Sequence, residues 1–296
     1  LEAAEFERRM AGDLSEGYAS GLDAALTTLA AKPDAVATRK ASQNALDLLA
    51  PLLPEFFGGR ADLTGSNLTN FKGCVKAGRD HWGNHLSYGV REFGMAAIMN
   101  GIALHGGLRA CCATFLAFSD YMRPPIRMAA LMKLPVTFVL THDTVRIGAD
   151  GPTHQPIEHL AALRAIPGLT VLRPADAEET WVAWEMALEN VSGPTALVLT
   201  REDVPVVAKQ DGDWKRTIRR GAYVVRDGGS APRLVVAASG SDVATVCQAA
   251  DKAGDPAVRV VSIICRELFL KQDRGFRESV LPPSVPLMVV EAGATQ

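Results

Sequence analysis

In LPVTFVL-THDTVRIGADGPTHQPIE, Leu134 to Glu158, a short apolar run gives way abruptly to a polar loop. Leu134–Leu140 carries β-branched and aromatic residues without alternation, the pattern of a strand buried on both faces of a parallel sheet. Gly148, Gly151, Pro152 and Pro156 then deny the chain regular structure, so a loop is expected at the carboxyl end of that strand. In open α/β sheets this edge is where ligands bind. His142, Asp143, Asp150, His154 and Glu158 crowd onto it, a set suited to proton transfer, anion binding or metal ligation. Polar clusters of this kind also build turns with no chemistry attached. A metal site is disfavoured, because no histidine pair on this loop has helical i,i+4 spacing and the prolines argue against a helix there.

Outward from this loop, strand and helix patterns alternate. Helices are expected over Thr38–Leu53, Arg91–Leu104, Tyr121–Met132, His159–Ala165 and Ala177–Glu189, and strands at Thr170–Leu172 and Thr195–Leu199. His85–Val90 reads as a short strand or turn, Ala113–Phe118 as holding a strand end, and Arg60–Asn70, rich in Thr, Ser, Asn and Gly, as a loop. The alternation implies βαβ crossovers and a doubly wound, mainly parallel sheet, an α/β fold. Two amphipathic helices joined near Ser15–Glu16 precede it, forming a connector over 1–35. The main α/β unit then spans 36–205 and a polar linker 206–220. A second, incomplete α/β unit covers 221–296, with strands at Leu234–Ala238, Val258–Ile264 and Leu287–Val290 and a helix over 243–253.

With 48% apolar and 22% charged residues over 296 positions, the chain has the composition of a globular protein with a real core. No apolar run reaches the ~18 residues of a membrane span, and a net charge of −2 gives no reason to expect nucleic acid. Cys74, Cys111, Cys112, Cys247 and Cys265 fit no zinc spacing and read as reduced thiols of a cytoplasmic protein. The N-terminus, LEAAEFERRM, has no initiator Met and no apolar signal core, so a fragment or a processed chain is expected.

Several separate motifs are similar to those of the transketolase family. Besides THD-x₅-ADGPTHQPIE they are TRKASQNAL at 38–46, GG-x-ADLTGSNLT at 58–69 and YGVREFGMAAIMNGIALHGG at 88–107. TFLAFSDY at 114–121, RPADAEE at 173–179 and Leu199–Arg201 complete the set. The resemblance runs the whole chain, from the helical connector after that family's first domain into its last domain. It implies transfer of a two-carbon ketol unit from a ketose phosphate to an aldose phosphate, with thiamine diphosphate and Mg²⁺ as cofactors. The partners it implies are sugar phosphates and either a second copy or a diphosphate-binding domain.

By this resemblance Glu92 is the carboxyl that hydrogen-bonds the cofactor's pyrimidine, making its amino group a competent base. Read on its own, a carboxylate at such a position more often serves the first turn by satisfying the helix dipole. Phe115, Phe118 and Tyr121 resemble the aromatic wall around the pyrimidine, and Asp62 the carboxylate near the thiazolium. Arg39, Ser66, His142 and Arg201 resemble the phosphate-binding set, and Asp150 and His154 the residues that meet sugar hydroxyls. His142 and Asp150 thereby join Glu92 as candidate catalytic residues. No metal ligand is expected in this chain.

Arg146 and Ala149 stand where the family usually has Gly and Glu, Arg60 where Ser is usual, and Glu202 where Gln is usual. The family's GDG…N signature for Mg²⁺ and diphosphate has no counterpart: Asp211–Gly212–Asp213 is followed by no asparagine, Asn190 being the last. The diphosphate half of the site is therefore expected on another domain. The alternative is a non-catalytic fragment or pseudoenzyme module that only pairs with such a domain.

Overall fold

A computed structural model describes residues 2–30, 35–61, 63–229 and 231–294. Among them the strands are β1 (Val36–Ala37), β2 (Phe56–Arg60), β3 (His85–Ser87), β4 (Arg109–Phe115), β5 (Thr137–Thr141), β6 (Thr170–Leu172), β7 (Thr195–Leu199), β8 (Asp203–Val204), β9 (Tyr223–Arg226), β10 (Leu234–Ala238), β11 (Val258–Ser262) and β12 (Leu287–Val290). The main sheet runs β3-β2-β4-β5-β7-β6, every pair parallel. The stretch 134–140 thus supplies β5, central in this sheet, and the loop after it lies at the carboxyl edge.

Burial on both faces explains the unbroken apolar pattern of the central strands. Phe138 and Leu140 point into one core with Met95, Met99, Met122 and Ile126, from the helices Glu92–His105 and Ser119–Leu131. Val139, one residue out of phase, points into the other core with Leu46, Trp181 and Trp184, from the helices Thr38–Leu49 and Ala177–Glu189. In that second core the Trp184 indole N–H donates to the Ser42 hydroxyl at 2.8 Å.

Where a loop is expected over 60–70, the structure carries β2 through Arg60 and adds one helical turn, Thr64–Asn67. Gly58 and Gly59 hid the strand. A Cβ on Gly58 would stand 3.0 Å from the His85 ring, and one on Gly59 2.4 Å from Tyr88 and 2.6 Å from Met99, so close packing requires these weak strand formers. Strand β4 also begins earlier than its sequence suggests.

His85 is 1% exposed, and neither ring nitrogen has a partner among the described residues. Burial, with Arg60 and Lys76 nearby, lowers its pKa to about 4. Between pH 6.5 and 4 the unfolded chain binds a proton that the folded chain refuses, so stability falls as pH falls through this window. His85→Leu should make the decline of Tm from pH 6.5 to 4 shallower, removing up to about 2–3 kcal/mol of acid lability. An unchanged slope would contradict this account.

The second sheet is ordered β12-β10-β11-β9, with β9 antiparallel and the rest parallel. Strand β9 and the helices Arg266–Leu270 and Arg274–Val280 carry no clear pattern in the sequence. Polar contacts join the two sheets' surroundings: buried Glu179 accepts from the Tyr223 hydroxyl at 2.9 Å and the Ser262 hydroxyl at 2.8 Å. No helix among the described residues is long and apolar enough to cross a membrane.

Candidate active site

Two arginines 162 positions apart meet because a pair of threonines holds their backbones together. Thr38 N–H donates to Thr200 Oγ1 at 2.8 Å, and Thr200 N–H returns a bond to Thr38 Oγ1 at 2.7 Å. The antiparallel pair β1–β8 and a bond from Ala37 N–H to the Asp203 carboxylate at 2.8 Å complete the join. Arg39 and Arg201 follow directly. Burial, then the Arg201 charge, lowers the Arg39 pKa. Two cations held side by side, one half-buried, make a field that an anion would relieve. Arg39 also donates to the Ser66 carbonyl, so Ser66 lies at this place too. Arg201 approaches the Asp150 carboxylate at 3.7 Å.

The aromatic residues gather beside the arginines. Phe115, the last residue of β4, stacks on His142 with ring centroids 3.7 Å apart and on Phe118 at 5.6 Å. His154 meets the edge of Phe118 at 5.0 Å and of Phe115 at 5.8 Å, and Tyr121 stands 6.1 Å from Phe118 with an open outer face. Residues of two strand ends and of the 141–158 loop therefore form one wall. The glycines and prolines of that loop permit only single 3₁₀ turns, Gly148–Asp150 and Pro152–His154.

His142 is 2% exposed and has φ +61°. Burial, reinforced by Arg39, Arg201 and His154, lowers its pKa to about 3, so it is neutral at physiological pH. Its Nδ1 lies 2.8 Å from the Thr141 hydroxyl, which lies 2.7 Å from Asn67 Oδ1. In this orientation Nδ1 carries the hydrogen and Nε2 accepts. Exchanging the oxygen and nitrogen of the Asn67 amide would give the unpartnered Nδ2 a partner and move the hydrogen to Nε2, a donor suited to phosphate.

Glu92 opens the helix Glu92–His105, which packs on β4 and on the helix Ser119–Leu131. It is 7% exposed, no hydrogen bond or ion pair joins its carboxylate to a described residue, and its oxygens are not among the enclosed unpartnered atoms. A carboxylate at the edge of the site without a protein partner can meet a ligand group. Asp62, expected near the thiazolium, lies outside the described residues.

Asn67, Thr38, Thr200 and Arg173 support this site and were not singled out from the sequence, their signal being only membership of the motifs; Asp143 was noted among the loop's polar residues but given no role. The departures fall at the margins. Arg60 donates to the Asn70 side chain, Arg146 reaches the Ser241 hydroxyl at 3.1 Å, Ala149 is exposed, and burial raises the Glu202 pKa. One group among the described residues has metal-ligand proximity, Asp120, Glu158 and His159. Its Asp120 already pairs with Arg123 at 2.5 Å and with His159 at 3.1 Å.

Compared with known proteins, residues 34–207 match the family described as transketolase, pyrimidine binding domain. The chain belongs to the transketolase family. Residues 221–296 match a transketolase-like C-terminal domain. The chain is 54% identical to a plasmid-borne transketolase of Cupriavidus necator over 295 residues, covering 99% of this chain and 44% of that protein. It is 51% identical to transketolase 2 of Xanthobacter flavus, covering 100% and 43%. The chain thus spans under half the length of these curated relatives. In structure it is similar to the transketolase of Leishmania mexicana, with a TM-score of 0.91 and 41% identity over 99% of this chain and 43% of that one. It is also similar to a split-gene transketolase described as an inactive β4 tetramer, with a TM-score of 0.66 and 25% identity over 88% of this chain and 91% of that one.

Proposed function

We propose that this chain supplies the pyrimidine-binding and substrate-channel half of a transketolase site, which moves a two-carbon ketol unit from a ketose phosphate to an aldose phosphate. The observation that carries the reading is the convergence of Arg39, Arg201, His142 and His154 on the Phe115–Phe118 wall. A Pichia stipitis transketolase of the same fold (TM-score 0.88, 37% identity) was solved in complex with sedoheptulose 7-phosphate, a substrate class that this pairing of cations and hydroxyl-binding groups suits.

The residues fit the pyrimidine half of thiamine diphosphate. Glu92 offers a carboxyl without a partner among the described residues, and Phe115, Phe118 and the open face of Tyr121 offer an aromatic wall. When bound, the cofactor supplies the acidic carbon that forms and breaks bonds to the sugar. Glu92 holds the pyrimidine by a hydrogen bond and sets its tautomer. Arg39 and Arg201 take the sugar's phosphate with charge-assisted bonds, helped by Ser66 and His142. Asp150 and His154 meet hydroxyls along the chain of the sugar, and Asp62 completes the cofactor's surroundings.

Mg²⁺ and the diphosphate are assigned to a separate domain. The Asp120–Glu158–His159 group suits Mg²⁺ poorly, because one of the three donors is an imidazole and Arg123 already neutralises Asp120. The split-gene relative supports pairing between chains, and the absence of a disulfide among the five thiols fits the cytoplasm. The test is complementation: the chain is mixed with the separately produced remainder of the Cupriavidus relative, thiamine diphosphate and Mg²⁺. Two-carbon transfer should appear in the mixture and in neither component alone. A well-formed, cofactor-loaded complex without transfer would overturn the reading in favour of a pairing module.

A further inference from the structure

We infer that Arg173 is a positioning residue that makes the conformation of the His142–Asp143 turn depend on the C-terminal sheet; its kinetic consequence rests on the function proposed above. Arg173 follows β6 and has no exposed surface. Its guanidinium reaches two polypeptide units at once. Nε donates to Asp143 Oδ2 at 3.0 Å, and a second nitrogen lies 2.9 Å from the same oxygen. The remaining nitrogen donates to the Ser239 carbonyl at 2.9 Å and to Asp242 Oδ2 at 3.1 Å, with Glu291 at 3.5 Å. Ser239 and Asp242 follow β10, and Glu291 follows β12, so these partners come from the carboxyl end of the second sheet.

The backbone of Arg173 is stitched to the same place. Its N–H donates to the Ile264 carbonyl at 2.9 Å, and its carbonyl accepts from Gly240 N–H at 3.1 Å. Gly240 has φ +60°, and a Cβ there would come within 2.7 Å of the Arg173 side chain. A glycine is required so that the guanidinium can enter.

On the other side, Arg173 is the sole hydrogen-bonding partner of the Asp143 carboxylate among the described residues, and Asp143 is fully buried. Asp143 adjoins His142, whose left-handed backbone an L-residue adopts only when its surroundings hold it. That turn aims the His142 ring at Phe115. The cluster is balanced in charge: Arg173, Arg164 and Arg146 face Asp143, Asp242 and Glu291. Burial works against the charge on Arg173, but these carboxylates hold it protonated. Arg146, where relatives' motifs lead one to expect glycine, adds an outer link to Ser241 at 3.1 Å and Asp242 at 3.7 Å; half its side chain is exposed, so it is the weaker link.

The test uses the 296-residue chain and two variants, Arg173→Met and Asp242→Asn. Two readouts report on the loop without substrate: the NMR titration of the His142 ring, assigned with His142→Gln, and amide exchange over 142–151. The charged and titratable groups facing that ring are Arg39, Arg201 and His154, which neither variant touches. In the parent, His142 should stay neutral down to about pH 4. In both variants its titration should move toward the ordinary histidine range, and exchange over 142–151 should quicken at least tenfold while β4 and β5 stay protected. Folded variants with a lower Tm but an unchanged His142 titration and unchanged loop exchange would overturn the proposal, leaving Arg173 a structural ion pair. If Arg173→Met does not fold, Asp242→Asn decides by comparison with Arg146→Ala, which removes only the direct contact of Asp242 with the loop and should leave the His142 titration unchanged. Because neither readout needs turnover, failure of the transketolase reading and failure of this coupling are told apart.

Discussion

Glu92→Ala should lower kcat of the assembled enzyme by about 10²- to 10⁴-fold at saturating sugar phosphate, the range typical for loss of one group in proton-transfer catalysis. The residue sits at the first position of its helix and its carboxylate has no partner among the described residues, so removing it leaves no stranded cation there and should disturb the fold little. Any loss of activity then falls on the cofactor's pyrimidine. Glu92→Gln keeps the shape and a hydrogen-bonding group, and should retain more activity than Glu92→Ala if positioning contributes. A first-turn carboxylate serving only the helix dipole is worth about 0.3–1 kcal/mol of stability. Near-parental kcat with a slightly reduced Tm would therefore return Glu92 to that lesser role.

Arg201→Ala should separate phosphate binding from chemistry. A charge-assisted bond contributes about 1.5–3 kcal/mol, which corresponds to roughly a 10- to 150-fold loss of kcat/KM for phosphorylated acceptors, carried mainly by KM. Unphosphorylated acceptors of the same length should change by no more than about threefold, because they lose no ion pair. The prediction draws on the closeness of Arg39 and Arg201, which the Thr38–Thr200 hydrogen bonds hold in place. Arg201→Ala also frees Asp150, its neighbour at 3.7 Å. Equal losses on both classes of acceptor would place the effect on Asp150 and the sugar hydroxyls instead.

Much of the main sheet was legible because its central strands are buried on both faces. Thr170–Leu172 and Thr195–Leu199 coincide with β6 and β7, and the loop after β5 announced itself through four glycines and prolines. The strand β2 was not legible, since Gly58 and Gly59 answer to His85, Tyr88 and Met99, which lie far along the sequence. Arg173 illustrates a further limit. A lone arginine is expected at the surface, and only the three-dimensional arrangement of Asp143, Asp242 and Glu291 makes its complete burial tolerable. The motif resemblance pointed to Arg39 and Arg201 together, but their meeting depends on hydrogen bonds between residues 162 positions apart.

The central claim, that this chain holds one half of a thiamine-diphosphate site, is tested most directly by calorimetric titration of the cofactor with Mg²⁺. The diphosphate is its most highly charged part, and desolvating it calls for a metal and donors. The chain alone should therefore bind weakly, with a dissociation constant well above the micromolar range, and mixing with the complementary domain should tighten binding by orders of magnitude. Micromolar binding by the 296-residue chain alone, or no gain on mixing with a domain shown to associate with it, would contradict the account.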